Sequence, residues 1–161
     1  MQKKVLKEGR CVVKIIQKLT TLAQVLDTLQ ESIELYDKYK KKSEAEDTRE
    51  YEQLFLGMRD SMIQRFEYCT DLFWKVFKLY LEDVEKVDLA STSPKGVVRE
   101  AVRIRTITET EAAECIEMVM NRNQTSHIYH QELADIIAKR VPGFYKLMHI
   151  LVVRLQVKSK C

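Results

Sequence analysis

The residues best suited to chemistry lie close together in the string NRNQTSHIYH: Arg122, His127 and Tyr129, with the polar residues Asn123 and Ser126 between and beside them. A histidine near its unperturbed pKa of ~6.5 exchanges protons at neutral pH. Arginine is a permanent cation whose planar donors match a phosphate. Together they would bind a phosphodiester and move protons on it, the minimum for cleaving RNA through its own 2′-hydroxyl without a metal. An Arg five residues before a His is common by chance. Requiring a Tyr two residues further on lowers the chance expectation to about one in a hundred. Spacing alone still favours a plainer reading, in which Arg122 solvates a helix end and His127 caps the next helix.

Other chemistries find less support. His127 and His130 lack an Asp, Glu or His partner at matching helical spacing, so no metal site is read. Cys69 and Cys115 fall within helical patterns, which argues against a cysteine nucleophile. The glycines at 57, 96 and 143 are isolated, so there is no phosphate-cradling loop. The four cysteines form no Cys-x-x-Cys pair, as suits a reducing compartment. A net charge of +3 is too mild to argue for nucleic acid by itself. No run approaches the ~18 apolar residues of a membrane span. The start, MQKKVLKEGR, lacks the apolar stretch of a signal peptide, so a cytoplasmic protein is expected.

The elements that must position the motif are helices. With four Gly and two Pro in 161 residues, a few long helices are expected in one domain spanning 1–161. Val12, Ile15, Leu19, Leu22, Leu26, Leu29, Ile33 and Tyr36 recur at spacings of three and four, the stripe of a first helix. KYKKKSEAEDTREYE reads as its end and a solvated connection, with Asp47 or Thr48 as the next N-cap. A second helix is predicted over 48–84, with Phe55, Met58, Met62, Phe66, Cys69, Phe73, Val76 and Tyr80 on one face. Trp74 is read as an anchor for packing or for an oligomer contact. Ser93-Pro94 opens a short helix to about Arg105. Thr108 with Glu111 has capping-box spacing and opens a fourth helix through about Asn121. Asn123–Ser126 interrupt the apolar pattern and predict a helix end or a sharp bend. A last helix from about Gln131 turns Leu133, Ile136, Ile137, Phe144, Leu147, Leu151 and Leu155 inward, and Pro142 should kink it. The expected fold is all-α: an antiparallel up-and-down bundle of four to five helices with a kinked last helix.

Three ordered blocks, RDSMIQRFEYCTDLFWKVFKLYLE, SPKGVVREAV and MVMNRNQTSHIYHQELADII, resemble the nucleotidyltransferase substrate-binding-protein branch of the HEPN superfamily. The resemblance runs from about Arg59 to Leu155. It implies a helical-bundle homodimer in which the Arg/His motifs of two protomers face a shared cleft. It further implies a metal-independent endoribonuclease, the toxin of a toxin–antitoxin pair, with RNA as substrate and a minimal nucleotidyltransferase as antitoxin. Arg122 and His127 would then be catalytic, Asn123 and Ser126 supporting, and Tyr129 the residue the partner adenylylates. An attached AMP would add bulk and negative charge where an RNA backbone must enter. No cofactor is implied. The same resemblance carries an alternative: a non-catalytic subunit that binds substrate for, or regulates, a separate nucleotidyltransferase.

Overall fold

The computed structural model of the protein describes residues 2–46, 48–127 and 130–159, with side chains from Val13 onward. Five α-helices account for nearly all of these residues: α1 (Gln2–Ala45), α2 (Arg49–Asp83), α3 (Pro94–Arg103), α4 (Glu109–Gln124) and α5 (Gln131–Lys158), with a 3-10 turn at Thr125–His127. No strand occurs among the described residues. None of the helices is long and apolar enough to cross a membrane.

The helix starts are set by local chemistry. The Thr48 hydroxyl accepts from the Tyr51 N–H, and the Ser93 hydroxyl accepts from the Gly96 N–H with Pro94 at the first helical position. Thr108 and Glu111 close a reciprocal capping box at α4. Each satisfies an N–H that a helix start leaves without an internal partner. Gly96 has a second reason to be glycine, because a Cβ there would lie 2.7 Å from Ser91 Cβ and 2.9 Å from its carbonyl oxygen. The chain before α3 thus folds hard against the first turn.

Cross-helix pairs fix the topology. Tyr36 meets Phe55, and Arg65 donates to the Thr28 carbonyl at 2.7 Å, so α1 and α2 run antiparallel. Arg59 bonds Asp135 and Phe66 stacks on Phe144, so α5 runs parallel to α2. Tyr145 reaches Gln30 and Arg154 reaches Glu111, which sets α5 antiparallel to both α1 and α4. The result is an up-and-down four-helix bundle, with α3 a short excursion between α2 and α4. Its core is continuous, from Ile15, Leu19, Leu22, Leu26 and Leu29 through Met62, Phe66, Phe73 and Phe77 to Val141, Met148 and Leu151. Such a bundle arises when helical stripes are joined by short turns.

Several boundaries move. α1 extends well beyond the Val12–Tyr36 stripe, and its lysine-rich end stays helical to Ala45, so the connection to α2 shrinks to 46–48. α3 stops at Arg103. α4 continues through Asn123 to Gln124, past the expected end, because the intervening polar residues suit a helix whose outer face is solvated. Ile136, expected inward, is 53% exposed, and Leu133 is only half-buried. The five other predicted inward residues of α5 are buried, because the true contact stripe runs through Ala134, Ile137, Ala138 and Val141 and leaves Ile136 on the far side. Pro142 lies inside α5, which continues past it; having no N–H, it leaves the Ala138 carbonyl without its helical donor.

Candidate functional site

The motif sits where α4 tightens into the 3-10 turn. Arg122 occupies the last full turn of α4 and points to α2. Its Nε donates to Asp71 Oδ1 and its Nη2 to Asp71 Oδ2, both at 2.8 Å. This is the parallel two-bond geometry that a guanidinium would otherwise offer to a phosphate. The guanidinium holds the Asp71 carboxyl below the usual carboxylate range, and the hydrogen bond to Asp71 raises Arg122 further above its ordinary value. The pair is therefore doubly ionised at any physiological pH.

One turn back along α2, Glu67 performs the matching task. The buried Thr125 places its hydroxyl against the Glu67 carboxylate and within 2.6 Å of the Arg122 carbonyl, with one proton to serve both. Glu67 and Asp71 stand four residues apart on one face of α2 and grip residues three apart on α4 and the turn. The sequence reading missed both carboxylates. They sit beside the apolar stripe of α2, where an acid looks like ordinary solvated helix surface.

His127 closes the 3-10 turn. It is exposed, and its carbonyl accepts from the His130 N–H at 3.2 Å. Five residues separate it from Arg122, roughly 140° or more around the helix axis. Arg122 and Thr125 bond residues of α2, while His127 is an exposed residue at the end of the turn. Asn123 and Ser126 are exposed, and the Ser126 hydroxyl donates to the Asn123 carbonyl at 3.1 Å, tying the turn. Tyr129 lies outside the described residues.

Arg122, Asp71 and Asn123 also form one wall of a 390 Å³ cavity between α2, α4 and the start of α3. On the opposite side of α4, Arg140 of α5 pairs with Glu117, and Arg154 makes a two-bond pair with Glu111 at 2.7 and 2.8 Å. α4 is thus tied by ion pairs to both neighbours. Cys69 and Cys115 are buried, and burial pushes both thiols up to about 12, far from a reactive thiolate. Among the described residues no three His, Cys, Asp or Glu side chains are grouped to hold a metal.

These features define an all-α bundle in which the polar turn after α4 is clamped by carboxylates of α2. The model of the family described as "nucleotidyltransferase substrate binding protein like" matches residues 17–157, and the chain belongs to that family. It is also similar to a protein of known crystal structure from Thermus thermophilus, with 33% identity and a TM-score of 0.66 over 83% of this chain and 98% of that one. No curated protein matches it.

Proposed function

We propose that this protein is a non-catalytic accessory subunit that binds substrate for, or regulates, a separate nucleotidyltransferase. The observation that carries this reading is the Asp71–Arg122 pair. The one arginine of the motif is engaged at two donors by a carboxylate, and a second carboxylate, Glu67, stands a turn away. A phosphodiester approaching Arg122 meets negative charge and must displace a preformed two-bond partner. The family match points the same way, since its description names substrate binding for a nucleotidyltransferase. The test is a nucleotidyl-transfer assay with a minimal nucleotidyltransferase from the same genome, with and without this chain. The reading expects its rate or substrate affinity to change on addition of this protein. Identical kinetics in both arms would overturn it.

A second reading keeps the motif as a nuclease. Its support is the intact Arg122, His127 and Tyr129 set, with His127 exposed at the end of the turn. In this reading a homodimer brings the Arg122 of one protomer to the His127 of the other, Asn123 and Ser126 support the turn, RNA is cleaved without metal, and the nucleotidyltransferase silences the site by adenylylating Tyr129. RNA incubated with the protein in EDTA separates the two readings. Cleavage by wild type but not by His127→Ala supports the nuclease, and intact RNA in both arms removes it.

A further inference from the structure

α5 carries two apolar stripes. One is the contact face through Ile137, Val141, Met148 and Leu151. The other looks outward: Ile136, Gly143, Ile150 and Val157 recur every seven residues, and Ile136, Ile150 and Val153 are 45–53% exposed. Exposed apolar residues scattered singly need no explanation, but a seven-residue repeat along one helix face is the seam of a helix pair. Gly143 is a second, independent sign. It stands exposed in the interior of α5, where glycine weakens a helix, and a Cβ there would meet nothing within 4 Å. Nothing inside this chain requires a glycine at that point. Close approach of another backbone does.

Charge names the occupant. Arg140, four residues after Ile136, reaches Glu117 of α4. Lys139, three residues after Ile136, therefore stands on the opposite, α1 side of the seam, and Lys146 repeats the position after Gly143. The α1 border of the seam is acidic: Tyr145 bonds Gln30, and the exposed Asp27 and Glu34 lie about one turn to either side of Gln30. Lysines beside the seam and carboxylates along its border make the surface complementary to itself. The same carboxylates disfavour an anionic membrane, as do Glu114 and Glu117 on the α4 side.

We propose that α5 pairs with α5 of a second copy of this chain, antiparallel about a two-fold axis at Gly143. Ile136 of one copy then packs on Ile150 of the other, and the two glycines let the backbones approach. Lys146 comes level with Arg140 of the other copy and so, through the Tyr145–Gln30 register, with Glu34 of its α1. Lys139 falls between Asp27 and Glu31 in the same way. A parallel pair would instead set each lysine against its own copy across the seam. The contact is isologous and closes at two chains. Gly143 lies about 18 Å along the helix from Gln131, so the motif-bearing turns stand at opposite ends of the pair. This inference is independent of the accessory-subunit reading and needs no nucleotidyltransferase.

The experiment measures the mass of the full-length protein by sedimentation equilibrium across micromolar concentrations. Wild type should sediment as a dimer of twice 19.0 kDa. Ile150→Asp should be monomeric with its helical circular dichroism intact, because position 150 is open to solvent in the single chain. Gly143→Leu should weaken the dimer without lowering the melting temperature of the monomer, since the added side chain meets nothing within its own chain. Lys146→Glu should weaken the dimer roughly three- to tenfold, two symmetric contacts being reversed at once, and adding Glu34→Lys should restore it. A monomeric wild type overturns the proposal, whether it stays alone, sediments with phosphatidylglycerol vesicles or binds a nucleotidyltransferase through this face. So does a dimer that Ile150→Asp and Gly143→Leu leave intact, or one that the second charge reversal fails to restore.

Discussion

Arg122 and Asp71, 51 residues apart in the chain, meet through two parallel hydrogen bonds of 2.8 Å, and this pair ties the arginine of the conspicuous Arg–His–Tyr string to α2. The arginine that would seize a phosphate is fastened to α2. With Thr125 held by Glu67, it fixes the polar turn against the bundle.

Asp71→Asn should release Arg122. Both side chains are partly exposed, at 31% for Arg122 and 46% for Asp71, so the stability loss should be no more than about 1 kcal/mol. The freed guanidinium should bind anions better, and the variant should elute from a heparin column at higher salt than wild type. Earlier or unchanged elution would show that Arg122 was not restrained by the pair. Arg122→Ala should destabilise to a similar degree, and the double variant should reveal a coupling of several tenths of a kcal/mol in denaturant titrations.

A second prediction concerns acid. Contacts from Arg154 hold the Glu111 carboxyl down at about 2, from an ordinary 4.5, and the hydrogen bond from the Thr108 N–H adds to the effect. The folded value is depressed, so the stabilisation is complete above pH 4.5 and is lost as pH falls from there through about 2. Its upper bound is about 3 kcal/mol. Asp71, also shifted down, acts in the same direction. Glu111→Gln should flatten the acid limb of a stability-against-pH curve while preserving the capping box, which accepts Gln at that position. An acid limb as steep as that of wild type would refute the assignment.

Backbone strain offers a third. Arg105, just past α3, has φ 59°, a left-handed conformation that L side chains adopt at a cost of roughly 1–2 kcal/mol. The Thr106 N–H bonds the Ala101 carbonyl at 2.9 Å across it, the closure of a helix C-terminus that favours glycine. Arg105→Gly should raise the melting temperature by a few degrees. Gly96→Ala should lower it, because the new methyl would collide with Ser91. The opposite order would overturn both arguments.

The local part of this fold is written in the sequence, and the rest is not. Thr48, Ser93, Thr108 and Glu111 are helix starts because their side chains satisfy N–H groups within three residues, so their roles are visible from spacing. The buried stripes of α1 and α2 follow from period alone. The end of α4 is not legible, because a run of polar residues is compatible with either a break or a solvated last turn, and only packing against Glu67 and Asp71 selects the latter. Ile136 misleads because an apolar residue at helical spacing can lie one step outside the contact face. For the site, the motif residues are evident, but what restrains Arg122 is not. An ion pair across 51 residues leaves no periodic trace.

Complex formation tests the central claim most directly. The protein is co-expressed with a minimal nucleotidyltransferase from the same genome and the mixture is resolved by size exclusion with light scattering. An accessory subunit should co-elute with the enzyme in a fixed stoichiometry that survives Arg122→Ala and His127→Ala. Separate elution, together with metal-independent RNA cleavage that His127→Ala abolishes, would contradict it.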